Sequence, residues 1–176
     1  MENLPQIIKL AQHGDKEAFS VLYKEYYSRI YRYCKINLYR EDLAQDLSQE
    51  TFIRAWKALP NFKQTSEGTF QAYLFRIARN LIIDLSRKKK EFALTGYEEL
   101  EGGEDFTEEI DMKDEAEKLK SALGRLGETD RQILILRYFE DMSHRECAKI
   151  IGMNEGALRV RTIRALKKLK EMLLNK

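Results

Sequence analysis

The sequence predicts an all-α protein: two small helical domains joined by a flexible acidic linker, the C-terminal one a helix-turn-helix. Three observations predict it. Apolar residues recur at helical spacing through most of the 176 residues rather than alternating. Helix breakers are scarce, since Pro5 and Pro60 are the two prolines and nine glycines are few for an all-β chain. Charge falls in blocks. Arg54 to Lys90 holds nine Lys/Arg against two acids, a net +7; Glu91 to Asp114 holds ten acids against Lys113, a net −9. Ser143 to Lys176 holds nine Lys/Arg against three acids, a net +6. The overall charge of +2 conceals this pattern.

Composition narrows the class further. With 43% hydrophobic and 34% charged residues the chain is ordered and helix-rich rather than disordered. No window reaches the apolar length that crosses a bilayer. The opening Met1-Glu2-Asn3-Leu4-Pro5 lacks the basic and apolar parts of a secretory signal, so a cytoplasmic protein without membrane insertion is expected. Cys34 and Cys147 lie far apart in different segments and read as buried small hydrophobes of a reducing compartment, not as a disulfide framework.

The elements follow in order. Ile7, Leu10 and Ala11 begin a first helix, which Gly14-Asp15 punctuates. Asp15 is placed to cap a second helix whose Ala18, Phe19, Leu22 and Tyr26 share a face and whose run continues through Ile30, Tyr33 and Cys34. A third is expected from about Glu41 to Leu59, with Leu43, Leu47, Phe52, Ala55 and Trp56 inward and Pro60 ending it. A fourth, from about Thr69 to Lys89, should bury Tyr73, Leu74, Ile77, Ala78, Leu81 and Leu85. The acidic strip 91–114 shows no helical period and contains Gly96, Gly102 and Gly103, the composition of a self-repelling tether. Fully extended, such a tether spans roughly 80 Å, more than two turns of B-DNA at about 34 Å each. Four more helices are expected at about 114–125, 128–140, 143–151 and 154–174. The domains are therefore 1–90, the linker 91–114, and 115–176.

The segment MSHRECAKIIGMNEGALRVRTIRALKKLK carries helix-turn-helix grammar. Ser143 and Glu146 form an S-x-x-E capping box. Gly152 falls where a helix needs a left-handed end, and Asn154 can cap the next helix. That helix repeats Leu158, Ala165, Leu169, Met172 and Leu173 inward, leaving Arg159, Arg161, Arg164, Lys167 and Lys168 outward. A basic helix entered through a tight turn brings side chains to major-groove base edges. Glu155, Arg159 and Arg161 should approach bases, with later cations on phosphates.

In the N-terminal half, TFQAYLFRIARNLIIDLSRKKK interleaves aromatics with cations. Arg76, Arg79, Arg87 and Lys88 to Lys90 suit phosphates, and Tyr73 and Phe75 lie near the polar connector FKQTSEG of Phe62–Gly68. Aromatics beside a basic track stack on unpaired bases, although Tyr73, Leu74 and Ile77 at helical spacing are more often plain core. Within AQDLSQETFIRAW, Asp46, Gln49 and Glu50 fall at i, i+3 and i+4 and share one face. That face is either solvated or a docking surface. With no histidine nearby and no second acidic cluster, it does not read as a metal or acid–base site, and no cofactor is expected.

Taken in order, these pieces resemble the extracytoplasmic-function (ECF) sigma factors of the sigma-70 family over nearly the whole chain. AQDLSQETFIRAW resembles the family's D-L-x-Q-E-x-F segment. FQAYLFRIARNLIIDLSRKKK resembles its F-x-x-[WY]-L-x-x-I-A-R-N-x-x-x-D-x-x-R signature, and ALGRLGETDRQILILRYFEDMSHRECAKIIGMNEGALRVRTIRALKKL resembles its terminal domain. The resemblance implies a factor that binds RNA polymerase core, directs it to specific promoters and helps open the DNA. It implies core docking through Asp46, Gln49 and Glu50. It implies −10 recognition and melting through Phe62, Lys63, Thr69, Tyr73, Arg76, Arg79, Asn80 and Arg87. For −35 reading it implies Ser143, Glu155, Gly156, Arg159, Arg161 and Arg164. An anti-sigma factor as regulator also follows from the resemblance alone. Gln45, Gly127, Cys147, Thr162 and Ile163 depart from residues the family often carries there. The competing readings are a stand-alone helix-turn-helix regulator, which would bind duplex DNA tightly without polymerase, and a small enzyme. The enzyme reading finds no phosphate-cradling glycine loop, and His13 and His144 lie apart from any nucleophile or ligand set.

Overall fold

The computed structural model describes residues 3–63, 69–94 and 112–174, the side chains of 89–94 and 112–114 excepted. Two compact units divide the chain, Met1–Leu100 and Glu101–Lys176. Both are helical throughout, with no strand among the described residues.

In the first unit, α1 (Leu4–Gln12) opens with Pro5 in its first turn, where a missing N–H costs no hydrogen bond. Gly14 turns the chain at φ +90°, and Asp15 Oδ1 accepts from Ala18 N at 2.9 Å to cap α2 (Lys16–Leu38). Tyr39 ends α2 in the left-handed region at φ +56°. The chain then returns through α3 (Glu41–Ala58), a single 3-10 turn (Leu59–Asn61) containing Pro60, and α4 (Phe70–Leu94). The core joins Ile8 and Ala11 of α1, Leu22, Ile30, Tyr33 and Cys34 of α2, Ala44, Phe52 and Ala55 of α3, and Phe70, Leu74, Phe75 and Ala78 of α4.

The inward face of α3 is turned by one residue from the expected one. Ala44, Ser48 and Thr51 are buried, while Leu43, Leu47 and Trp56 are half-buried at the rim. Small residues there let α2 and α3 approach closely, and Ser48 and Thr51 stay satisfied by donating back to Ala44 O and Leu47 O at 2.5 and 2.7 Å. In α4 the core takes Phe70, Ala72, Phe75 and Ile82 beside Leu74, Ala78 and Leu81, leaving Tyr73, Ile77 and Leu85 half-buried. Phe75 packs edge-on against Tyr33 at 5.2 Å and is fully buried. It is therefore a core residue and offers no face to a base.

The second unit comprises α5 (Met112–Arg125), α6 (Glu128–Leu134), a wide π turn (Ile135–Phe139), α7 (His144–Ile151) and α8 (Glu155–Leu174). Helices α4 and α5 reach into the two ends of the acidic strip, at 91–94 and 112–114; its remainder, 95–111, lies outside the described residues. The expected single helix at 128–140 ends instead in the π turn, where Glu140 N bonds to Ile135 O five residues back at 3.2 Å. Leu123, Leu126, Leu134 and Ala165 form a buried cluster under Leu119, Leu169 and Met172. Leu173, expected inward, is 43% exposed because the packed face of α8 has run past its neighbours. Both cysteines are buried and free, and burial pushes the Cys34 thiol up to about 11 and the Cys147 thiol up to about 12.

Candidate nucleic-acid and partner interfaces

On α3, Asp46 and Gln49 are exposed and Glu50 is half-buried. Glu50 Oε1 accepts from Arg54 Nε at 2.7 Å, an exposed i,i+4 pair of little intrinsic strength that a partner can displace. Ile53, 47% exposed, adds an apolar patch to the same outer side. The face thus offers carboxylates around a hydrophobic spot, the composition of a protein-binding rim.

The connector between α3 and α4 begins and ends in described structure, while 64–68 lie outside it. Lys63 and Thr69 are exposed. Thr69 Oγ1 accepts from Ala72 N at 3.1 Å and caps α4. Phe62 packs against Tyr73 at 4.7 Å and Phe70 at 5.8 Å. Tyr73 is half-buried, with its hydroxyl directed at Ala55 O over 3.4 Å; burial holds its pKa above the ordinary phenol value. Each of these rings therefore has one face already covered. Arg76, Asn80 and Arg87 are exposed and, four and seven residues apart, recur along one stripe of α4, with half-buried Arg79 beside it.

In the second unit the turn is built as its local sequence dictates. Ser143 Oγ accepts from Glu146 N at 3.2 Å while Glu146 Oε2 accepts from Ser143 N at 2.9 Å, closing the capping box of α7. Ser143 is thus spent on the cap. Gly152 ends α7 at φ +81°, and Asn154 Oδ1 accepts from Ala157 N at 2.7 Å to start α8. The leading N–H groups of α8 and the positive end of its dipole face outward beside exposed Gly156, an arrangement suited to a phosphate. A Cβ at Gly156 would meet Asn154 Oδ1 at 3.6 Å, an ordinary contact, so packing within the chain does not demand glycine there.

The arginines of α8 are not equivalent. Arg159 is exposed and pairs with Glu155 at 2.6 Å, which holds the Glu155 carboxyl below its usual range. Arg164 is exposed. Arg161 Nε donates to Asp130 Oδ1 of α6 at 2.6 Å, and Lys168 Nζ lies 3.3 Å from Asp130 Oδ2. Burial raises the Asp130 carboxyl, and the hydrogen bonds from Arg161 and Lys168 outweigh it, leaving the group below its ordinary pKa. Arg161 and Lys168, expected to point outward at DNA, thus tie α8 to α6. Two residues the sequence reading passed over stand on the outer side of α8: Val160, 50% exposed, and Ile163, 68% exposed. The signal was their phase, since they fall between the buried positions Leu158, Thr162 and Ala165. Beside arginines, such groups suit the methyl of thymine.

Among the described residues no group of three or more His, Cys, Asp or Glu could hold a metal ion, and no helix is long and apolar enough to cross a membrane.

Comparison with known proteins gives both halves counterparts. Residues 22–92 match the family described as Sigma-70 region 2, and residues 116–169 match Sigma-70, region 4. The chain is 33% identical to the ECF RNA polymerase sigma factor BldN of Streptomyces coelicolor, over 96% of this chain and 65% of that protein's length. It is 32% identical to the RNA polymerase sigma factor NccH of Alcaligenes xylosoxydans xylosoxydans, over 95% of this chain and 92% of the relative. Among solved structures it resembles CnrH in complex with the cytosolic domain of CnrY, at a TM-score of 0.73 and 26% identity, covering 95% of this chain and 94% of that one.

Proposed function

Because the chain belongs to the ECF sigma factors of the sigma-70 family, we propose that it binds RNA polymerase core, carries it to specific promoters and helps to open them. The observation that carries this reading is order: a region 2 match and a region 4 match follow one another on two separate helical units. A stand-alone helix-turn-helix regulator gives no account of the region 2 half.

The division of labour follows the sequence: 1–90 for core binding and −10 recognition, 91–114 as tether, and 115–176 for the −35 element. Asp46, Gln49 and Glu50 dock on core. The connector ends at Phe62, Lys63 and Thr69, with Tyr73 behind them, hold the −10 element, and Arg76, Arg79, Asn80 and Arg87 run along its phosphates. Exposed Arg159 and Arg164, the Glu155–Gly156 helix start and the neighbouring Val160 and Ile163 meet the −35 duplex. Ser143 and Arg161 support that surface from behind, through the cap and the Asp130 tie. Bond making belongs to the polymerase, and the chain works in the cytoplasm, where core enzyme and DNA are. An anti-sigma protein restrains it, a reading supported by the likeness to CnrH in its complex with the CnrY cytosolic domain.

Reconstitution tests the proposal. Core polymerase supplied with this chain should start transcription at defined sites on linear duplex, and core alone should not. Tight binding of the chain to a bare duplex, with no effect of core, would sink it.

A further inference from the structure

Gln12, the last residue of α1, reaches over to the turn from which the connector departs. Its Nε2 donates to Phe62 O at 2.5 Å and lies 3.3 Å from Leu59 O, partners 50 and 47 residues away in sequence. Both carbonyls sit at the spent end of α3 and its 3-10 turn, where no further helical N–H follows to satisfy them. A glutamine is suited to the place. It is neutral, half-buried, and long enough to bring one amide to two oxygens.

The same Phe62 is gripped a second time through its ring, by Phe70 and Tyr73 at the start of α4. Its backbone is thus fixed by α1 and its side chain by α4, so the direction in which the chain leaves at Lys63 is set from both sides. Thr69, capping α4, fixes the return. Gln12 lies ahead of residues 22–92, the part that matches region 2, so α1 reaches the connector from outside that match.

We propose that Gln12 is a positioning residue for −10 recognition: it orients the connector so that its residues can hold unpaired bases. The inference rests on the connector's assignment to the −10 element. A longer-range consequence follows. Any partner that displaces α1 would loosen the connector without touching it.

The test uses full-length chain assembled with core polymerase and a fluorescent single-stranded oligonucleotide carrying the −10 segment of a promoter located by start-site mapping. Gln12→Met keeps the length and loses the donor, and Gln12→Glu sets a carboxylate against the two carbonyls. Measured well below the melting temperature of each variant, oligonucleotide affinity should fall about 3- to 10-fold for Met and further for Glu. Affinity for core and for −35 duplex should stay at the wild-type value. Wild-type oligonucleotide affinity in both variants would overturn the positioning role and leave the connector's assignment standing. Failure of the wild-type holoenzyme to bind the oligonucleotide would remove that assignment and this inference together. Lowered melting temperature and core affinity, with unchanged oligonucleotide binding per assembled complex, would make Gln12 a folding residue only and would equally overturn the proposal.

Discussion

Arg159 and Arg161 stand two positions apart on α8 and are separated by their neighbours. Arg159 is paired with exposed Glu155, an i,i+4 contact of a few tenths of a kcal/mol that a base edge can outbid. Arg159→Ala should therefore leave the melting temperature nearly unchanged and weaken promoter binding by about 1–3 kcal/mol, with relaxed preference at one base pair. Arg161 is committed to Asp130, which is only 7% exposed. Arg161→Ala should destabilise the second unit by about 1–2 kcal/mol, discounted for the partial exposure of Arg161; thermal melts beside binding isotherms separate the two variants. Asp130 also gives a pH signature. Its carboxyl lies below the ordinary value, so its contribution is fully present above about pH 4 and is lost as pH falls through its folded pKa. Asp130→Asn should be less stable at neutral pH and show a shallower loss of stability below pH 4 in acid denaturation. A wild-type acid slope in that variant would dismiss the tie.

At the scale of the element, helix ends were the most legible part of the chain. Asp15, Ser143 with Glu146, Gly152 and Asn154 all act where the sequence put them, because a cap is decided within about four residues. Faces were less legible. Phe75 and Tyr73 lie two residues apart in one aromatic run, and only the seat of α4 against Tyr33 decides which is core. Gly127 marks an unused opportunity. It precedes α6 at φ −58°, ψ 143°, close to the φ −63°, ψ 158° of Ser143, with open space where a Cβ would stand. Gly127→Ser should raise stability by about 0.5–1 kcal/mol, through a side-chain cap and a less free unfolded chain. Denaturant titration reads it as a higher midpoint at unchanged slope; an unchanged midpoint would mean the hydroxyl makes no cap.

For the whole molecule, function requires two weakly similar jobs, gripping protein and gripping DNA, to be done by one chain. Asp46→Lys with Glu50→Lys should lower affinity for core by about 10-fold or more, like charges now facing whatever cations the acidic face meets. The helical spectrum and −35 duplex binding should be retained, because both residues lie on the outside of α3 in the other unit. Core affinity at the wild-type level would move the docking surface elsewhere.

What the sequence determined by itself was the helical class, the two charged lobes and the capped ends, along with the family to which such a chain is similar. Each rests on spacing within a few residues or on composition over a few dozen, and such signals survive in one dimension. Only the tertiary structure decided that Asp130 takes Arg161 and Lys168, 31 and 38 residues on, and that Gln12 takes the carbonyls of Leu59 and Phe62. Those pairings depend on the angle and distance at which helices pack. A polar side chain looks the same in sequence whether it meets water or a partner far along the chain.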